Sequence, residues 1–160
     1  MSISDLIVVM KDGVIQQIDR PQSVYDDPGN LFVSKFLGTP PINVFEGRVK
    51  GGALYAGDDH ILDIQGVSDR EVWVGIRPEG FIPAADGPLG CKLSGVEVMG
   101  RDVSVVSTHP ALSGVTIRAI ISAEIAPQIG GEAVRFAVKP AKVHIFDRAT
   151  EERIRFEVKR

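Results

Sequence analysis

Gly38 followed by Thr39-Pro40-Pro41 restricts this chain more than any other feature. Successive prolines lack the N–H donors a helix needs and push the preceding residue out of the α region. The stretch they interrupt, Leu31 to Phe45 (LFVSKFLGTPPINVF), therefore divides the chain. Before the prolines, Asn30 can cap a short helix, Phe32, Val33, Phe36 and Leu37 give it an apolar stripe, and Gly38 supplies a left-handed terminator. Further upstream, Leu6 to Met10 and Val14 to Ile18 are apolar β-rich runs joined through Lys11-Asp12-Gly13, whose Asp-Gly pair suits a tight hairpin turn. Pro21 is placed for the first turn of another short helix through Ser23, Val24 and Tyr25, which Asp27-Pro28 ends. A hairpin and two short helices cannot enclose a core of their own. Ile7, Val9, Ile15, Ile18, Phe32 and Phe36 therefore need cover from elsewhere, or they remain sticky and mobile.

From Ile42 onward the pattern becomes short runs with period-two alternation between Gly-rich or charged turns. It predicts strands at Val44–Val49, Ala53–Tyr55, Ile61–Ile64, Val72–Ile76, Leu93–Met99, Val103–Ser107, Val115–Ile120, Val134–Val138 and Val143–Phe146. The expected fold is mainly β, a small oligonucleotide-binding-like barrel or sandwich of short antiparallel strands, preceded by the hairpin and two short helices. A weak internal echo runs through it. Val74-Gly75-Ile76-Arg77-Pro78-Glu79-Gly80-Phe81-Ile82 parallels Phe136-Ala137-Val138-Lys139-Pro140-Ala141-Lys142-Val143-His144: a strand ends in a cation, proline stops the ladder, and apolar residues resume. Because proline cannot donate to a central ladder, both sites should be sheet edges or strand exits.

Composition narrows the functional classes. With 160 residues and 44% hydrophobic content the chain can bury a core, and its net charge of −3 is dispersed rather than clustered, unlike a nucleic-acid footprint. Aromatic content of 6% leaves little for a base-stacking platform. A single cysteine, Cys91, excludes an internal disulfide and is expected to be a packing residue. His60, His109 and His144 lie far apart, with no metal-ligand spacing; the first two are expected in solvent and the third on a half-buried strand. Asp26-Asp27, Asp58-Asp59 and Glu151-Glu152 are adjacent pairs that diverge on a strand or helix, so they read as surface charge rather than as a catalytic dyad. Trp73, within Val72-Trp73-Val74, reads as packing, and no G-x-S-x-G elbow is present. Leu93-Ser94-Gly95 sits in the alternating run CKLSGVEVM and reads as strand. No stretch offers the G-x-x-x-x-G-K-[ST] phosphate loop.

Three segments together closely resemble a known family. LIVVMKDGVIQQIDRPQSVYDDP and the following Leu31 to Phe45 resemble the end of the ATPase domain in carbohydrate-importing ABC transporter subunits of the maltose-importer type. Gly75-Ile76-Arg77-Pro78-Glu79 resembles an element of their regulatory TOBE domain. The resemblance implies that residues 1–38 are the C-terminal remnant of a nucleotide-binding domain, with Ser2-Ile3-Ser4-Asp5 just beyond the family's switch histidine. On the same resemblance, residues 39–41 are a linker and residues 42–160 a regulatory β domain. It further implies a non-catalytic regulatory and dimerisation region with no cofactor of its own, ATP and Mg being expected only for the full-length parent.

Its implied partners are a second copy of the subunit and, through the ATPase domain, the transporter's membrane subunits, with no nucleic acid. The expected location is cytoplasmic, at the inner face of the cell membrane. Arg77, Pro78 and Glu79 are the candidate partner or effector surface, the competing expectation being that Arg77 and Glu79 merely fix the strand-exit turn. The alternative function is a small-molecule sensing domain for an oxyanion or metabolite. An autonomous enzyme lacks any assembled nucleophile, base and oxyanion donor.

Overall fold

The computed structural model describes residues 5–38, 40–112, 114–124 and 131–158; Ser2, Ile3, Ser4 and Thr39, singled out above, lie outside these. The chain opens with a hairpin of β1 (Ile7–Lys11) and β2 (Val14–Asp19), turned by Asp12 (φ 50°) and Gly13 (φ 81°). Helix α1 (Pro21–Asp26) follows, with proline in its first turn, and then α2 (Leu31–Ser34), whose cap Asn30 accepts from Val33 N at 2.9 Å. Val9, Val24 and Val33 form a small buried cluster between hairpin and helices, with Ile7, Phe32 and Leu37 packed against it. Both helices thus start where the capping residues predict them, but α2 stops at Ser34 rather than running to Gly38, and Phe36, expected on its apolar stripe, is exposed.

Among the described residues, twelve further strands build two antiparallel sheets. β3 (Asn43–Lys50), β4 (Ala53–Ala56), β5 (Asp59–Gln65) and β6 (Arg70–Ile76) join β12 (Val143–Asp147), β13 (Arg153–Ile154) and β14 (Glu157–Val158) in the order β13-β12-β6-β3-β4-β5-β14. The second sheet has the order β10-β9-β8-β11-β7, from β7 (Phe81–Pro83), β8 (Leu89–Met99), β9 (Asp102–Thr108), β10 (Thr116–Ser122) and β11 (Ala133–Val138). Phe45, Leu54, Val72, Val74, Ile76 and Ile145 of one sheet share a core with Leu89, Val105, Ile117, Ala119, Ile121 and Phe136 of the other. All nine predicted strands are present, each longer by a residue or more, although β10 begins at Thr116 rather than Val115. β7, β13 and β14 were not anticipated, because two or three residues are too few to show a period.

The internal echo has a structural counterpart. β6 leaves its sheet at Arg77, makes a 3-10 turn over Pro78–Gly80 and enters the other sheet as β7; β11 leaves at Lys139, turns over Pro140–Lys142 and crosses the opposite way as β12. The two turns bond reciprocally: Arg77 N donates to Lys142 O at 3.2 Å, and Lys139 N to Gly80 O at 2.7 Å. Both prolines therefore stand at strand exits, where the missing donor costs nothing.

Asn43, paired with Ile76 beside the first crossing, ties the two layers. Its side chain, 7% exposed, donates to Ile76 O (3.1 Å) and Arg118 O (2.9 Å) and accepts from Arg118 N (2.8 Å), so one amide satisfies both backbone groups of a β10 residue. Replacing Asn43 with Ala leaves these groups without partners in a buried place. Urea unfolding should show the Asn43→Ala chain about 2–3 kcal/mol less stable than the parent, with an unchanged slope; a loss below about 0.5 kcal/mol contradicts the staple.

Candidate functional site

The three residues expected at a partner or effector surface lie together at the β6 exit, but unequally exposed. Arg77 is 0% exposed, Pro78 is buried, and Glu79 is half-buried. The surroundings of Arg77 are this chain's own N-terminal segment. Its Nη1 donates to Ser34 O and Leu37 O, both at 3.0 Å, and its Nη2 to Tyr25 O at 2.6 Å. Tyr25 O and Ser34 O are carbonyls at the C-terminal ends of α1 and α2, which have no intrahelical donor and carry the negative end of each helix, and Leu37 O belongs to the turn after α2. One guanidinium therefore caps two helices.

Arg77 also lies 4.0 Å from the centroid of the Tyr25 ring, and the Tyr25 hydroxyl donates to Glu79. Burial and the Glu79 carboxylate push the Tyr25 hydroxyl far above its usual range. Burial moves Arg77 the other way, below the usual arginine value, with Tyr25 and Glu79 opposing the shift. Gly38, at φ 116°, closes the site: a Cβ there would meet the Tyr25 ring at 3.3 Å and Arg77 Nη1 at 3.5 Å. Lys142, from the second turn, stands 3.7 Å from Glu79 and 3.9 Å from Asp26. The solvent-facing part of this exit is thus Glu79 with Lys142, while Arg77 works inward.

A second set of contacts continues along β13. Leu31 N donates to Glu151 O (2.9 Å), Arg153 N to Gly29 O (3.1 Å), and Arg153 Nη1 to Asp27 (3.1 Å) and Pro28 O (2.8 Å). Arg155 adds a 2.7 Å bond to Asp27 and holds its carboxyl below the ordinary range. Asp27 was read as plain surface charge, because no local signal joins it to arginines 126 and 128 positions away. The whole N-terminal segment is therefore latched to the sheet at two points.

The remaining expectations divide. Cys91 is buried in the core, and His60 is exposed beside Asp63. His109, expected in solvent, is instead 6% exposed. Its Nδ1 accepts from Ala111 N (3.1 Å) as the Pro110 turn folds back, and its Nε2 meets Asp59 at 2.6 Å. Trp73 is half-buried on the outer face under the Arg148 guanidinium, 5.0 Å from its ring. His144, expected half-buried, is 3% exposed, and burial, then Arg153 and Arg77, push its pKa down to about 3. Among the described residues no group of three or more His, Cys, Asp or Glu is placed to hold a metal ion. No helix there is long and apolar enough to cross a membrane.

Two measurements follow. Arg77→Ala should lower stability by about 3 kcal/mol or more, since it leaves three carbonyls unpaired, and limited proteolysis should then cut within residues 20–38. Arg77→Lys should recover only part, because an ammonium cannot reproduce the guanidinium fork. For His144 the folded state stays neutral while the unfolded chain takes up a proton near pH 6.5. Its contribution is complete above pH 6.5 and is lost as pH falls from there toward 3, at roughly 1 kcal/mol per pH unit. His144→Asn should flatten that part of the stability curve.

No protein-family model matches the chain. The sulfoquinovosyl glycerol transport ATP-binding protein SmoE of Agrobacterium fabrum is 35% identical over 164 residues, covering 96% of this chain and 45% of that protein. The diacetylchitobiose uptake system ATP-binding protein MsiK of Streptomyces coelicolor is 31% identical, covering 96% and 47%. The sn-glycerol-3-phosphate import ATP-binding protein UgpC of Jannaschia sp. is 31% identical, covering 92% and 41%. Among solved structures, a molybdate-bound crystal form of the cytoplasmic molybdate-binding protein ModG aligns at TM-score 0.46 and 18% identity, over 64% of this chain and 94% of that one. The chain spans a little under half the length of the curated relatives it matches. Along nearly its whole length, this chain's homologues are the ATP-binding subunits of ABC importers for sugars and glycerol phosphate.

Proposed function

We propose that the chain is the regulatory and dimerisation region of an ABC importer's ATP-binding subunit, with no catalysis or cofactor of its own. In this reading residues 1–38 are the end of the ATPase domain, residues 39–41 a linker and residues 42–160 the regulatory domain. The parent would sit in the cytoplasm against the membrane subunits. One observation carries the reading: the hairpin has two apolar faces and covers only one. Val9 is 0% exposed against the helices, whereas Val8 (47%), Met10 (51%), Ile15 (54%) and Ile18 (53%) face solvent, with Val8 opposite Ile18 and Met10 opposite Ile15. A two-stranded ribbon with an uncovered apolar face is marginal in water and suits the edge of a larger domain. The homologues, more than twice as long, are ATP-binding proteins, which fits a larger domain joined at this edge.

The latch gives this region a mechanical task. Movement of the ATPase domain would be delivered to the hairpin and helices, and through Arg77 and Arg153 to the sheets. Pairing of two copies would then hold the ATPase domains together while they open and close. For the contact between copies we favour the far end of the β8–β9 hairpin, where Val96 (50%), Val98 (74%) and Met99 (49%) are exposed, because two-fold pairing of one chain needs a self-complementary patch. Sedimentation velocity tests this. The chain should associate, and Val98→Asp with Met99→Asp should shift it to monomer while Val8→Asp with Ile18→Asp does not. The reverse result would place the pairing in the N-terminal hairpin and refute this assignment.

A further inference from the structure

Beside the second latch lies a cleft of about 340 Å³, formed where the N-terminal segment meets β12 and the C-terminal strands. Its lining is part apolar, from Pro140, Val143, Phe156 and Val158, and part polar, from His144, Arg153, Arg155 and Asp26. Two buried nitrogens of the polar residues, His144 Nδ1 and Arg153 Nε, have no hydrogen-bond partner among the described residues. Six buried side-chain polar atoms among the described residues lack a partner, Arg77 Nε among them although Arg77 Nη1 and Nη2 meet carbonyls. Buried polar groups are normally hydrogen-bonded, and two of these six belong to residues lining this one cleft. The lining's acid, Asp26, already faces Lys142. Arg155 is 66% exposed and spends one nitrogen on Asp27, which leaves the rest of its guanidinium able to meet an incoming anion.

We propose that this cleft binds a small organic anion, a carboxylate or phosphate monoester on a short apolar body, with Arg155 and His144 contacting the anionic group in place of Asp27. The apolar residues take the body, and the guanidinium fork matches either oxyanion. His144 contributes as a neutral donor, since a neutral imidazole keeps one N–H. Because Asp27 is part of the latch, an anion that displaces it from Arg155 loosens the N-terminal segment at this point while Arg77 still holds the other. Occupancy would then be felt by whatever the hairpin is attached to. The binding step is read on this chain alone and does not depend on the transport reading above.

The test is a chemical-shift titration of the full chain with butyrate, monobutyl phosphate and neutral butyramide, which share one apolar body. Saturable shifts at Ala141, His144 and Phe156 are expected for the anions, with a Kd of about 1 mM or tighter. The tighter of the two anions identifies whether carboxylate or phosphate is the natural group. Arg155→Ala, at an exposed position, should weaken binding roughly tenfold. Asp27→Asn should strengthen it severalfold, because it removes the competing carboxylate. Each of the following overturns the proposal: no saturable shift with either anion, butyramide binding as tightly as the anions, an unchanged Kd in Arg155→Ala, or weaker binding in Asp27→Asn.

Discussion

A guanidinium that cannot lose its charge sits at zero exposure in this molecule, and the arrangement of the N-terminal segment follows from the carbonyls that meet it. Arginine in a dry site needs acceptors on every side, and the only abundant acceptors without intrahelical partners are the C-terminal carbonyls of helices. Two short helices end beside Arg77, one presenting Tyr25 O and the other Ser34 O, with Leu37 O coming from the turn that follows. Helices of six and four residues have little stability of their own. They stand here because the cation and the capping Asn30 take up the groups their ends leave open. Tyr25 closes the arrangement by lying against the cation with its ring and donating to Glu79 with its hydroxyl.

Arg77 can serve this role because of where the chain crosses between layers. The turns at Pro78–Gly80 and Pro140–Lys142 exchange strands between the two sheets and bond to each other through equivalent backbone groups. A side chain leaving a strand at such a crossing points away from both ladders, toward whatever covers the sheet. At the first crossing the N-terminal segment covers it, so Arg77 is buried; Lys139, its counterpart at the second, is exposed. The pseudo-symmetry of the backbone is broken by what docks on it.

That docking is two-sided, which bears on how such a region can transmit a signal. Arg77 anchors the helices through neutral carbonyls, a contact that neither pH nor salt readily alters. Arg153 and Arg155 anchor Asp27 through charge near the surface, a contact that ions and competing carboxylates can weaken. One segment is thus held by a firm anchor and an adjustable clasp. The hairpin beyond them keeps Val8, Met10, Ile15 and Ile18 open to solvent.

Whatever depends on neighbours in sequence could be read from the residues. Asp12-Gly13 determined the hairpin turn, Asn30 the cap of α2, Gly38 the left-handed exit, and alternation the nine longer strands, since each rests on local dihedrals or a short period. Even the paired crossings were visible as an echo around Pro78 and Pro140. The sequence also showed that Arg77 matters, but it could not show which way Arg77 faces. Its partners lie 40, 43 and 52 positions away, Asp27 meets arginines 126 and 128 positions away, and Asn43 reaches Arg118 across 75. Nor could it show that His109 is buried, because Asp59 comes to it from another strand. Local dihedral preference chooses the elements; only chain closure brings a carbonyl, a carboxylate or a ring to a distant cation, and burial then decides whether that cation is solvated or holds the fold together.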